Sequence, residues 1–168
     1  MKKELRRKIV TLAVLAAVLL VAASGCSLFR KIDIIGTWHD VYGGKRVVTE
    51  STISVYWLTT DTEPAWIYEI VDFDNEAWNG GDTGEGEAGY AVVMFSTAPA
   101  DNPEFEGTYT VFRWQNLQNT DGVLTMEYSE GSPPTWPVGY EDSATDAAAN
   151  ATESNGWFAW GYTSATLQ

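Results

Sequence analysis

The chain has one cysteine and one histidine in 168 residues, and each scarcity removes a class of chemistry. Cys26 alone cannot form an internal disulfide, so no disulfide framework holds this fold. With His39 as the only imidazole, no Ser/His/Asp set can be argued. Basic residues are also few, ten against 23 acidic ones, for a net charge of −13. Such a surface repels phosphate backbones and anionic headgroups, which excludes nucleic acid as a partner and favours cations or basic proteins. The longest apolar run, residues 9–23, is shorter than the about 20 residues a spanning helix needs.

What is present begins at the amino terminus. Lys2, Lys3, Arg6, Arg7 and Lys8 precede that apolar run, and small residues close it, the order of a secretion signal. The exit Ala23-Ser24-Gly25-Cys26 resembles the bacterial lipobox, although Ala23 stands where that motif usually has Leu. The resemblance implies acylation of Cys26, which also removes the hazard of an unpaired exported thiol. Several acyl chains give a lasting anchor where one holds only marginally. Ser27 rather than Asp after the cysteine points to the outer membrane of the cell envelope. Loss of residues 1–25 strips five of the ten basic residues and one of the 23 acidic ones, taking the net charge from −13 to −17. The expected organisation is a signal over 1–25, a lipidated tether over 26–33 and one domain over 34–168.

That domain reads as all-β. Strands are expected over 35–42, 46–50, 52–60, 66–74, 90–97, 108–115, 123–129 and 157–163, from period-two alternation and β-branched or aromatic content. In the fourth, Ile67, Val71 and Phe73 are placed on one face and Trp66, Tyr68 and Ile70 on the other. Gly43-Gly44 and Asn119-Thr120-Asp121-Gly122 mark hairpin turns. Residues 75–89 read as an acidic, glycine-rich exposed loop. Residues 143–151 are the helix-like stretch, with Ser143 as its N-cap. Eight short sequential strands with a helix before the last fit an antiparallel up-and-down barrel, with a sandwich as the alternative. Several strands are apolar on both faces, so either their outer positions are covered or the interior is roomy.

Ile35-Gly36-Thr37-Trp38 on the first strand resembles the Gly-x-Trp opening of lipocalins and related calycin barrels. The resemblance implies that Gly36 and Trp38 close one barrel end, with Trp38 packed against a late basic residue. Arg113, the only basic residue after Arg46, is the candidate. Gly43 and Val48-Thr49 extend a weaker resemblance to avidin-like barrels, but Asp40 and Gly44 depart from the biotin-binding pattern. Biotin is therefore not expected.

No reaction is written in the residues, so an enzyme is not expected, nor is a cofactor. His39 reads as a surface residue, with a contact to a rim ligand or a metal as the alternatives. Asp72, Asp74, Glu76, Asp82, Glu85 and Glu87 offer hard oxygen ligands, yet their spacing matches no calcium loop. The aromatics are the stronger lead. Trp57, Trp66, Trp114, Trp157 and Trp160 exceed what a small core requires, and Trp57, Trp66, Trp114 and Trp160 are the expected lining of an apolar pocket. Core packing is the competing reading. Two functions follow: a lipid-anchored barrel that binds a small apolar ligand, or an envelope interaction protein that presents aromatics and acidic charge to a protein or glycan.

Overall fold

The computed structural model describes residues 31–75, 87–137 and 139–168. The signal sequence and Cys26 lie outside the described residues, as does most of the acidic loop, 76–86. Residues Ile32–Gln168 form one compact unit with its own closed sheet and core, so this unit holds what a domain needs to fold by itself. No helix among the described residues is long and apolar enough to cross a membrane.

Eight strands follow one another around a closed antiparallel barrel. They are β1 (Gly36–Asp40), β2 (Lys45–Val48), β3 (Thr52–Tyr56), β4 (Trp66–Asp74), β5 (Glu87–Thr97), β6 (Tyr109–Thr120), β7 (Val123–Glu130) and β8 (Thr163–Leu167). A 3-10 turn at Pro103–Phe105 separates β5 from β6, and helix α1 (Ala144–Asn150) precedes β8. Ser143 caps α1, its hydroxyl accepting from the Asp146 N–H at 3.1 Å. Closure is made by β1 against β8, with Trp38 opposite Leu167 and Asp40 opposite Ala165. Among the described residues no edge of this sheet is left open.

Alternation builds the interior. Ile53 and Val55 on β3 point inward between Thr52, Ser54 and Tyr56, and Met126 and Tyr128 do the same on β7. Trp38, Phe112 and Trp114 fill the middle, each at most 2% exposed, and Phe112 stacks on Tyr128 at 5.4 Å. At the end where β1 begins, Ile32 and Ile34 enter the same core and stop the barrel. The Trp38 indole N–H donates to the Ile34 carbonyl at 2.7 Å, fixing that stopper to the first strand.

Strands β5 and β6 are apolar on both faces because their outer faces are covered. Val92 and Val111 pack beneath Ala147, Ala151, Trp157 and Phe158, a second core outside the barrel wall. This corrects the expected last strand. Residues 157–163 do not form it: Trp157 and Phe158 are buried against the outer wall, Gly156 and Gly161 turn the chain at positive φ, and β8 starts only at Thr163.

Three further expectations shift. A register shift between Ile70 and Asp72 in β4 lets Phe73 pack with Ile70 against the interior and leaves Val71 about half exposed, so the two-face division does not hold past that point. Strand β5 starts at Glu87, inside the expected loop, and β6 runs on to Thr120. Its hairpin therefore narrows to Asp121-Gly122, both at positive φ, the two-residue turn that matches strand twist. In the β1–β2 hairpin it is Asp40 that organises the turn, its Oδ1 accepting from the backbone N–H groups of Tyr42 at 2.8 Å and Gly44 at 2.9 Å.

Candidate binding site at the barrel mouth

The end opposite the Ile32–Ile34 stopper is open. There the β3–β4, β5–β6 and β7–β8 connections surround a cavity of about 770 Å³. Its walls are aromatic: Trp57, Trp66, Trp136 and Trp160 with Tyr68, Phe95, Phe105 and Tyr140. Its polar lining includes Arg46, Glu130, Asp101, Asn102 and Ser132. The size falls within the range of small-molecule sites, as does the ratio of many apolar walls to few polar groups.

The deep wall is preorganised. Phe95, Phe105 and Tyr140 contact one another with ring centroids 4.8 to 5.6 Å apart, and Tyr68 lies 4.6 Å from Phe95. Trp57 and Trp66 meet edge to face at 5.1 Å with planes 74° apart, forming a corner. Nearer the solvent the aromatics are loose: Trp160 is 83% exposed, Trp57 68% and Trp136 54%.

The floor is an ion-paired network reaching in from β1, β2, β4 and β7. Arg46 donates from Nε and Nη2 to Glu130 Oε1, each at 2.8 Å, and its Nη1 lies 3.4 Å from Asp40 Oδ2. The Tyr68 hydroxyl donates to Glu130 Oε2 at 3.0 Å, and the Tyr128 hydroxyl donates to Asp40 Oδ2 at 2.9 Å. The Arg46 guanidinium lies over the Tyr128 ring at 4.9 Å. The Trp66 indole N–H sits beside the Tyr68 hydroxyl without reaching hydrogen-bond geometry. Every charged side chain in the floor thus has a partner, as burial requires.

The protonation states follow. Burial raises the Asp40 carboxyl, but the N–H groups of Gly44 and Tyr42, the Tyr128 hydroxyl and Arg46 outweigh it and hold Asp40 below the usual carboxylate range. Burial, then the Glu130 charge, pushes the Tyr68 phenol well up. Burial raises Tyr128 as well, and Tyr140 is pushed up to about 12 by burial, partly offset by Ser132. Around neutral pH Asp40 is therefore ionised beside a charged Arg46, and the phenols are neutral.

Of the four Trp residues expected to line a pocket, Trp57, Trp66 and Trp160 meet at the mouth. Trp114 does not: it is 2% exposed and belongs to the interior packing. Trp157 is buried on the outer wall. Trp136, hidden in the proline-containing stretch 131–137, completes the mouth and was not signalled by any alternation.

Gly36 sits at the closing strand at φ +146°, where a Cβ would run into the Leu167 side chain. Arg113 does not pack on Trp38. Phe112 and Trp114 point inward, so Arg113 between them points out, where it pairs with Glu153 at 2.9 Å and lies 5.0 Å from the Phe158 ring. The inward basic residue is Arg46, opposite Trp38 on the paired strand. Its signal in the sequence is position: it alternates with Val48 on a strand whose inward face is otherwise apolar. His39 stands between Lys45 and Thr166 on the flanking strands, away from the mouth lining. Among the described residues no group of His, Cys, Asp and Glu is arranged to hold a metal.

No family model, no curated protein and no solved structure matches this chain.

Proposed function

We propose that this chain is a lipid-anchored binding protein of the bacterial cell envelope, lipocalin-like in its use of one barrel end, that takes a small and largely apolar ligand at the mouth. The observation that carries this reading is the open cavity of about 770 Å³ walled by Trp57, Trp66, Trp136 and Trp160. The middle of the barrel is filled by its own side chains, so the ligand belongs in the mouth and not along the axis. The lipobox-like Ala23-Ser24-Gly25-Cys26 supports anchoring through Cys26, and Ser27 supports the outer membrane.

The test is native mass spectrometry of residues 27–168 released from an envelope extract, with Trp emission followed as small molecules are removed. A co-purifying mass whose loss changes the emission supports the reading. A bare mass that stays bare after re-exposure to the extract, with emission unchanged, contradicts it.

A second reading is favoured by the exposure of Trp160, Trp57 and Trp136. In it the rim itself is the contact surface, and a protein or glycan docks on the three rings without entering the cavity. A partner whose binding survives a filled cavity distinguishes it.

A further inference from the structure

Resting on the reading that the mouth binds a small molecule, we infer that its ligand is an organic cation, an ammonium group carried on an apolar body. Three independent observations converge on that chemistry.

The first is the charge count. The cavity lining carries Glu130 and Asp101 against Arg46 alone, and Asp40 stands behind Arg46. Arg46 is already committed to both Glu130 and Asp40, so no free positive group waits for a carboxylate or phosphate. An anionic ligand entering the mouth meets a lining with more carboxylates than cations, and a cation meets attraction.

The second is the state of the aromatic faces. Among the described residues the cation–ring contacts lie over Tyr56, Tyr128, Phe158 and Tyr162. None lies over a Trp of the mouth. Indole is the strongest ring partner for a cation. Trp57 and Trp66 meet edge to face, so that contact occupies part of one indole face, while Trp57, Trp136 and Trp160 keep exposed ring surface around the mouth for a cation.

The third is the long-range field. A net charge of −13 on the whole chain, concentrated further if residues 1–25 are removed, draws cations toward any open cleft. The apolar body then rests on Phe95, Phe105 and Tyr140, which fill the deep wall.

The experiment uses residues 27–168 and an isosteric pair: choline, and 3,3-dimethyl-1-butanol, in which carbon replaces the charged nitrogen. Decanoate and a neutral disaccharide are run beside them. Binding is read by Trp emission and calorimetry up to millimolar concentration at low and high salt. Choline is expected to bind at least about tenfold tighter than its neutral isostere and to weaken with salt. Asp101→Asn, at an exposed rim position, is expected to weaken choline about two- to fivefold and leave the isostere unchanged. Equal binding of the pair overturns the cation inference and leaves the mouth as a binding site. So does binding of decanoate or the disaccharide without choline. If none binds, and emission is as inert in the wild type as in Trp160→Ala, the inference and the binding reading fall together.

Discussion

Arg46 and Glu130, 84 residues apart in the chain, meet at 2.8 Å across the floor of the barrel mouth. Both Arg46 nitrogens use the same carboxylate oxygen, which leaves Oε2 to Tyr68. With side chains only 13% and 18% exposed, the pair is largely out of water, and each charge depends on the other. Arg46→Leu leaves Glu130 and Asp40 facing each other without a cation. Glu130→Leu leaves Arg46 with Asp40. Arg46→Leu is therefore expected to cost more, about 3 kcal/mol or above, and the double variant to recover part of that loss. Urea unfolding of the four proteins checks the order, and equal losses in the two single variants contradict it.

Asp40 gives the fold an acid limit. Its folded pKa lies below its unfolded value near 3.8, so its contribution is complete above that value and is lost as pH falls toward the folded pKa. The wild type is expected to lose stability more steeply below about pH 4 than Asp40→Asn does. Thermal melts at stepped pH read the difference, and parallel curves in that window rule the assignment out.

The tyrosines set the opposite limit. Tyr68, Tyr128 and Tyr140 all have folded pKa values above their usual 10, Tyr140 at about 12, with burial the leading cause. The unfolded chain releases these protons first, so stability present below pH 10 declines as pH rises past it. Phenolate absorbance is expected to show these three titrating late, together with loss of the native fold, and their ionisation near pH 10 with the fold intact contradicts the assignment.

The tryptophans divide by position. Trp38→Ala removes a ring at 0% exposure and is expected to cost about 3–5 kcal/mol. Trp160→Ala removes a ring that is 83% exposed and is expected to change stability by less than about 0.5 kcal/mol. Ligand binding is expected to move the other way, weakened in Trp160→Ala at unchanged stability. Denaturation and binding measured on the same samples separate the two effects.

The strands were readable where one face is buried and alternation is clean, as in Ile53 and Val55 of β3, and β4 was readable in its bounds but not in its faces past Ile70. Strand β8 was not, because Thr163–Leu167 carries only two apolar residues, whereas Trp157 and Phe158 just before it look strand-like and serve as an outer cover. The aromatic surplus pointed to Trp57, Trp66 and Trp160, but composition does not separate a wall residue from a core residue, which is why Trp114 looked the same. Trp136 sits among prolines where no period exists to read. The Arg46–Glu130 pair depends on the registers through which β2 and β7 meet around the closed barrel, information that belongs to the tertiary fold.

Ligand occupancy of the mouth is tested most directly by fluorine NMR of residues 27–168 carrying 5-fluorotryptophan, titrated with small molecules recovered from the envelope extract. Resonances of Trp57, Trp66, Trp136 and Trp160 are expected to shift, while those of Trp38, Trp114 and Trp157 stay in place. Shifts at Trp38 and Trp114 with the mouth residues unmoved would put the ligand in the barrel interior and contradict the account, as would no shift anywhere.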